Sequence, residues 1–193
     1  MKMPLIKSSL LLVVGFTVLG LMLIFLLKNF SFNDLPFFLN VKSFIKKYGF
    51  IGVFFATILA GTIVPLGSPA LITAAASFGL HPMYLALIST IGFTIGMVIN
   101  YMLAYILGKN YVKKKIGENK FNEVSFLWMK WGWILYVIAG FIPTFPIEFL
   151  SLFCGVFKMR FNIFLILTFI PRFIIFMVLA YFGEWLGGWL KIV

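Results

Sequence analysis

The amino-acid sequence predicts an all-α integral membrane protein, a small helical bundle with two re-entrant helical hairpins related as inverted repeats. Hydrophobic residues make up 63% of its 193 residues and charged residues 11%, and a soluble domain cannot bury so much apolar surface. Prolines and glycines interrupt two of its apolar stretches near their middles. The same order of two short apolar segments and one long one occurs twice, which is typical of membrane proteins built from repeated halves.

The N-terminal element is an apolar run over residues 9–27, preceded by two lysines. The run is longer than the hydrophobic region of most signal peptides, and no small-x-small cleavage site follows it. We therefore expect an uncleaved transmembrane helix within residues 1–30. Residues 31–48 are expected to form a linker and then a short interfacial helix, in which apolar residues recur at helical spacing between lysines.

The first predicted hairpin, residues 49–80, has apolar arms at 50–60 and 70–80 around the break GTIVPLGSP. Each arm has eleven residues and a length of about 16 Å, roughly half of the ~30 Å hydrocarbon core. A continuous helix would lose backbone hydrogen bonds at the prolines in the middle of the membrane, where lipid offers no replacement. We therefore expect the chain to turn back at this break, inside protein or beside a wet cavity.

The second predicted hairpin, residues 131–157, repeats this pattern around the break PTFP. Segments long enough to cross the membrane are predicted at 83–108 and 161–190. A basic loop at 109–130 is predicted to join the two halves.

Two features of the first span bear on how the halves are arranged. Gly92 and Gly96 form a small-xxx-small face, which lets another helix approach closely. An offset of 76 residues aligns the halves with three identities: Gly79 with Gly155, Phe93 with Phe169, and Tyr105 with Tyr181. Broken segments of two such halves are expected to meet at a binding site.

The distribution of basic residues constrains the orientation. The formal net charge is +11, and most lysines and arginines flank apolar segments, which suits anionic lipid rather than nucleic acid. If both hairpins return to the face from which they start, one face collects ten basic residues and the other five; if both cross fully, the split is four against eleven. Both arrangements are biased, so charge leaves the topology open. Segment length favours re-entry, with the N-terminus and central loop cytoplasmic.

Few residues suit catalysis or metal binding. The chain has one histidine, one cysteine and five acidic residues, too few for a Ser-His-Asp arrangement, a carboxylate cluster or a multi-thiolate metal site. His81 precedes Pro82 and is expected to be a turn residue. We therefore expect a protein that is not an enzyme and that uses no cofactor or metal.

Two charged residues lie in otherwise apolar segments. Glu148 follows the second break, and Arg172 follows Pro171 in the middle of the last span. A charge at this depth is costly, so both side chains should face protein or water. They either line a path for a polar group or serve the structure, as a pair or with Arg172 on the carbonyls that Pro171 frees. In either case we expect the two to approach each other.

The two breaks together are predicted to bind the substrate. Helices that begin at Ala70 and Ile147, just after Pro69 and Pro146, would present N-terminal amides to an anion such as phosphate. Ser68 would add a hydroxyl donor or act as a simple N-cap. The candidate substrate-binding residues are Pro65, Gly67, Ser68, Pro143, Pro146, Glu148 and Arg172.

Three segments resemble the DedA superfamily, whose members carry the VTT or SNARE-associated domain. VPLGSPALITAAASFG (64–79) is similar to that family's Pro-x-Gly loop and the small-residue helix after it. GFTIGMVINYMLAYILGK (92–109) is similar to its Gly-x3-Gly helix, and GFIPTFPIEFLSLFCGVFKM (140–159) to its Pro-x-x-Pro break. The resemblance covers about residues 45–190 and implies a VTT-like domain at 49–193.

The sequence departs from the family pattern at three positions. Gly140 stands where many relatives have arginine, and Ser151 where the nearest branch often has asparagine. Ser68 replaces an acid of the other main branch, so proton coupling of the kind proposed there would depend on Glu148. Arg172 is our candidate replacement for the missing loop arginine.

The resemblance implies two hairpins that face each other and a protein that translocates phospholipid or a polyprenyl phosphate carrier. We therefore expect this chain to move an anionic lipid headgroup, with membrane lipids as its partners and a prokaryotic plasma membrane as its location. The alternatives are a proton-coupled transporter of small solutes or ions, and a membrane-biogenesis scaffold that transports nothing.

Overall fold

A computed structural model of the chain describes residues 36–62, 67–142 and 145–189, and in these residues the chain is all-helical. The helices are α1 (Pro36–Gly61), α2 (Ser68–Ser77), α3 (Pro82–Ile116), α4 (Glu118–Gly140), α5 (Ile147–Val156) and α6 (Phe161–Trp189). The predicted all-α class is confirmed. The N-terminal transmembrane helix predicted at 1–30 lies outside the described residues. By internal contacts the chain divides into units 1–43 and 44–193; of the first unit, the described part is the start of α1.

Within the described part of the chain, two helices are long and apolar enough to cross a membrane. They are Pro82–Tyr111 within α3 and Phe161–Trp189, with mean hydropathies of 1.8 and 2.6. At about 1.5 Å per residue, each is longer than the ~30 Å hydrocarbon core. Protein covers only 33% of the most apolar part of α6, so much of its apolar surface is available to lipid. These helices match the predicted spans at 83–108 and 161–190.

α1 bends sharply at Gly49, whose φ of 51° lies in the left-handed region. Glycine adopts this conformation readily because it has no Cβ. The bend falls at the predicted boundary between the amphipathic helix, which ends at residue 48, and the first arm of the hairpin. That the earlier part lies at a membrane surface stays a prediction.

The two long helices cross at the centre of the second unit and run in opposite directions. The ring of Phe93 lies 5.6 Å from that of Phe176. Further along α3, Tyr101 lies 4.7 Å from Phe164, which comes earlier in α6. All of these rings except that of Tyr101 are fully buried, and Tyr101 is nearly so. The crossing of α3 and α6 is therefore the apolar core on which the other helices pack.

Each short helix packs on the long helix of the other half. α2 lies along α6, where a Cβ on Gly183 would come within 2.3 Å of the Thr73 carbonyl oxygen. α5 lies along α3, where a Cβ on Gly155 would come within 2.3 Å of the Tyr101 carbonyl oxygen. Glycine is what permits backbones to approach this closely, so the halves interlock through these two residues.

The longer arms lie beside the long helix of their own half. The predicted small face of α3 is confirmed, because Gly92 and Gly96 both lie against α1. A Cβ on Gly96 would come within 2.2 Å of the Ile58 carbonyl oxygen. In the second half, a Cβ on Gly140 of α4 would lie 3.0 Å from the Pro171 side chain of α6.

The polar segment 109–130 is helical and not the loop that its lysines predicted. α3 continues through a bend at Gly108 to Ile116, and α4 begins two residues later. The physical reason is a buried apolar face. Phe121 is buried and stacks on Phe157, which directly follows α5, at 5.9 Å between ring centroids. Counting charges alone missed this face.

The offset between the halves is 79 residues and not the predicted 76. The short helices begin at Ser68 and Ile147, and the long helices begin at Pro82 and Phe161. Gly79 ends α2 with a φ of 93°, whereas Gly155 lies inside α5 and packs on α3. These two glycines therefore have different roles, and the three identities at offset 76 do not mark equivalent positions.

Candidate functional site

The predicted site residues fall on the two breaks and on α6. Pro65 and Pro143 lie outside the described residues. Gly67 is the N-cap of α2 with a φ of 63°, and its carbonyl oxygen accepts the backbone N–H groups of Ala70 and Leu71. This left-handed conformation is suited to glycine, so Gly67 sets the angle at which α2 starts.

Ser68 is the first residue of α2 and is buried. α2 thus starts two residues before the predicted Ala70, with Pro69 inside its first turn, where a missing N–H costs no hydrogen bond. The interpretation of Ser68 as the N-cap is wrong, because Gly67 occupies that position without a side-chain cap hydrogen bond. A hydroxyl buried beside the break is compatible with its predicted role as a donor.

The second break leads directly into α5, which begins at Ile147 as predicted, with Pro146 as its N-cap. Glu148 lies in the first turn and is half-buried. A carboxylate at this position interacts favourably with the partial positive charge of its own helix N-terminus. Glu148 thus has a structural reason to be there besides any role in binding.

Arg172 is the largest fully buried side chain among the described residues, with 1% of its surface exposed. Its Nη2 donates to the carbonyl oxygen of Phe145 in the second break at 3.4 Å, and its guanidinium lies 4.9 Å from the centroid of the Phe93 ring. Its Nε and Nη1 have no hydrogen-bond partner among the residues that the structure describes. The hydrogen bond of Arg172 thus goes to the second break and not to a carbonyl of its own helix near Pro171.

Glu148 and Arg172 are close enough to interact electrostatically, as predicted. They do not form an ion pair. Within the described ranges, the structure has one ion pair, between Lys113 and Glu118. Tyr136 lies within the same electrostatic cluster, and its hydroxyl shares a 2.6 Å hydrogen bond with Thr168. Arg172 thus keeps unpaired N–H donors although a carboxylate is nearby.

Asn100 connects the two breaks. Its Nδ2 donates to the Gly61 carbonyl oxygen at the end of α1, at 3.2 Å, and to the Glu148 carbonyl oxygen at the start of α5, at 3.5 Å. The side chain is 1% exposed, and its Oδ1 has no hydrogen-bond partner within the described ranges. One amide therefore touches backbone next to both breaks and keeps a free acceptor between them.

Sequence reasoning missed Asn100, Tyr136 and Thr168. A signal for Asn100 was present, since it is an amide in the middle of a long apolar span, and polar groups at that depth are costly unless partnered. Tyr136 and Thr168 carried no comparable signal, because aromatic and hydroxyl side chains are ordinary in membrane helices.

The charges at the second break suit an anion. Arg172 and the N-terminus of α5 contribute positive charge at the second break, and the described residues include no group of three metal-ligating side chains. His81 is exposed beside Tyr84, 5.1 Å between ring centroids, and Cys154 is buried. Neither belongs to the cluster around Arg172.

Comparison with known proteins gives one family. A model described as the VTT domain matches residues 64–185. An uncharacterized protein of Methanocaldococcus jannaschii is 34% identical over 136 residues, which cover 70% of this chain and 82% of that protein. An uncharacterized protein of Histophilus somni is 34% identical over 73 residues, 37% of each chain. No solved structure gives a significant match.

Proposed function

This chain belongs to the VTT-domain family, also called the DedA family, and on that footing we propose that it is a flippase- or scramblase-like protein. Its substrate is the anionic headgroup of a phospholipid or of a polyprenyl phosphate. The headgroup crosses through a polar seam between two re-entrant hairpins, and the acyl or prenyl tails stay in lipid. The proposed location is a prokaryotic plasma membrane that the chain crosses several times.

The observation that carries this proposal is the buried Arg172, whose Nε and Nη1 have no hydrogen-bond partner among the described residues. An arginine at membrane depth is costly, and unpaired buried donors add about 1–3 kcal/mol each. An anionic acceptor would remove this cost, and the planar guanidinium matches the oxygens of a phosphate, as it does those of a carboxylate, with two parallel hydrogen bonds. The helix N-terminus of α5 adds a second attraction for an anion at the same break.

The directions of the helices support the inverted arrangement. α1 runs parallel to α3, since Gly92 and Gly96 meet successive turns of α1, and α4 runs parallel to α6 through Tyr136 and Gly140. α3 and α6 are antiparallel. In the proposed arrangement, the hairpins therefore enter from opposite faces, and the residues that flank their breaks, Gly61 and Glu148, meet at Asn100.

The seam lowers the barrier for a headgroup in physical terms. Charged and zwitterionic headgroups do not cross hydrocarbon because they lose their hydration. A path lined by Arg172, the Asn100 amide and the backbone amides of the breaks replaces part of that hydration with fixed dipoles. Only the headgroup passes through the seam, since the tails stay in lipid, so a small helical bundle is large enough for this function.

Proton-coupled transport of a solute or ion is the second candidate, and the position of Glu148 near Arg172 favours it. A carboxyl group that is half-buried beside a fixed cation is a group whose protonation a substrate can shift. In this mechanism, Glu148 would exchange a proton as the substrate binds Arg172. A scaffold without transport needs neither residue.

Reconstitution separates these functions. Vesicles that contain the full chain and headgroup-labelled lipid are treated with a membrane-impermeant quencher. Loss of more than half of the fluorescence without any ion gradient is the result expected for lipid translocation, and both Glu148→Ala and Arg172→Ala should slow it with normal expression. Dependence on a proton gradient would favour the coupled transporter. A plateau at half quenching for every lipid tested would refute lipid translocation. Lys114→Ala, an exposed cation, is the matched control.

A further inference from the structure

A pocket away from the two breaks lies where α5 turns into α6. It has a volume of about 420 Å³, within the usual range for small-molecule sites. Tyr101 and Tyr105 of α3 form one side, and Lys158, Arg160 and Phe161 of the turn form the other. The pocket therefore combines two cations with aromatic rings at the end of an apolar helix.

The backbone at Lys158 is strained. Lys158 has a φ of 52°, and it is the one non-glycine residue of the described part of the chain with a positive φ. It ends α5, and the turn is closed by bonds from the Lys158 N–H to the Gly155 carbonyl and from the Met159 N–H to the Cys154 carbonyl. A left-handed residue at this place in a helix end is normally glycine, because a Cβ is disfavoured there.

The other half of the chain builds the same turn with glycine. Gly79, 79 residues earlier, ends α2 with a φ of 93°. Its N–H bonds to the Ala76 carbonyl, and the Leu80 N–H bonds to the Ala75 carbonyl, the same pattern as in the second half. The turn thus requires a left-handed residue but not a lysine. Backbone strain of this kind is typical of functional sites, so the side chain of Lys158 is the feature that needs a function.

The side chains hold positive charge at the pocket without neutralising it. Lys158 Nζ lies 5.2 Å from the centroid of the Tyr105 ring, and Lys109 Nζ lies 5.6 Å from that of the Phe157 ring nearby. Neither Lys158 nor Arg160 has a carboxylate partner among the described residues. The Tyr101 hydroxyl donates to the Met159 carbonyl at 2.6 Å and fixes the turn against α3.

We propose that this pocket binds the phosphate of an anionic lipid at the membrane surface, with Lys158 and Arg160 as its ligands. Basic side chains beside aromatic rings at the end of an apolar helix match the level of lipid headgroups. The first residue of α6, Phe161, is where its apolar stretch begins, so a bound headgroup would have its tails against that helix. This site is separate from Arg172 and holds its ligand whether or not the chain translocates lipid.

The test measures lipid binding and not transport. Full-length protein in mixed detergent–lipid micelles is analysed by native mass spectrometry, with phosphatidylglycerol or phosphatidylcholine as the added lipid. Lys158→Gly removes the cation and relieves the strain, so it should raise or preserve thermal stability and lower phosphatidylglycerol occupancy at least threefold. Arg160→Gln should lower it similarly. Lys130→Ala is the matched control, because Lys130 is also exposed and lies over an aromatic ring, that of Trp131, at 5.8 Å.

Three results would overturn this proposal. One is phosphatidylglycerol occupancy at the wild-type level in both pocket variants. Another is an equal loss in Lys130→Ala, which would indicate general attraction to a basic protein. The third is displacement of the lipid by inorganic phosphate at millimolar concentration, which would assign the pocket to a soluble phosphate. Arg172→Leu should leave this binding intact, so a failure of lipid translocation and a failure of this site give different data.

Discussion

The two breaks are followed by helices of the same length and with the same kind of packing, but the breaks differ in charge. α2 and α5 each have 10 residues, each follows a break, and each packs on the long helix of the other half through a glycine contact. α2 has no charged side chain, whereas α5 carries Glu148, and the break before it is the one that Arg172 contacts. In the described residues, the two halves therefore share the order and packing of their helices, whereas the charged side chains next to a break, Glu148 and Arg172, belong to the second half.

Replacement of the charged group should have the largest effect. Arg172→Leu removes the donors at the second break, and loss of a hydrogen bond to a charged group is worth about 1.5–3 kcal/mol, so headgroup translocation should fall roughly ten- to hundredfold. Thermal unfolding should be unchanged or shifted upward, because apolar replacement of a buried charge avoids its desolvation. The quenching assay and a melting curve measure the two effects. An unchanged rate would show that the charge asymmetry has no part in transport.

Because α2 and α5 pack on the long helices through equivalent glycine contacts, matched glycine variants should destabilise the protein to the same extent. Gly155→Ala and Gly183→Ala each place a Cβ 2.3 Å from a backbone oxygen, and such overpacking costs about 1–3 kcal/mol. Unfolding in detergent, followed by Trp fluorescence, gives the comparison. Gly188→Ala is the control, since nothing lies within 4 Å of its Cβ. A large loss in one half with none in the other would disprove an interlock of equal parts.

Asn100 joins the breaks, and its removal should have a smaller effect. Asn100→Leu leaves the Gly61 carbonyl without this donor, at a cost of about 1 kcal/mol. The Glu148 carbonyl keeps a 2.6 Å bond from the Ser151 hydroxyl, so it should lose little. Translocation is expected to fall less than tenfold. Asn162→Leu, at an exposed position of α6, should behave as wild type; equal effects in the two variants would argue against a bridge between the breaks.

A change at the connection between α3 and α4 should have the smallest effect on stability. Lys113 and Glu118 flank Gly117, where α3 passes into α4, and form an exposed ion pair. Exposed pairs contribute about 0–1 kcal/mol, so Lys113→Ala should lower the unfolding free energy by no more than that. A denaturation curve at low and high salt would check this. A loss of unfolding free energy comparable to that of Gly155→Ala would mean that the connection between α3 and α4, and not helix packing, holds the halves together.

The sequence predicted the backbone frame better than the site. Apolar length, prolines and the Gly92–Gly96 spacing located the long helices, the breaks and one close contact, because membrane depth and backbone hydrogen bonding leave few solutions. The basic segment was mistaken for a loop, since its lysines hid the buried face of Phe121. The offset of the halves was wrong by three residues, because a left-handed cap can be Gly79 in one half and Lys158 in the other.

The site was predictable only for residues whose burial is costly. Glu148 and Arg172 stood out because a charge in an apolar segment requires an explanation, and the structure places them in one electrostatic cluster. Which carbonyl Arg172 contacts, and that Asn100 reaches both Gly61 and Glu148, depend on how α3 and α6 cross. Contacts between residues 39 and 48 positions apart follow from packing and not from local pattern.

The most direct test of the central claim, that both breaks are held inside the membrane, is the labelling rate of single cysteines. In a Cys154→Ala background, cysteines at Ser68 and Phe145 are exposed to a bulky impermeant maleimide from each face of sealed vesicles, with Lys114→Cys as the surface reference. Phe145 is exposed on the protein itself, so protein burial alone would not shield it. We predict labelling at least about tenfold slower than at position 114 for both sites from both faces. Labelling of either site as fast as the reference, from either face, would contradict a buried break.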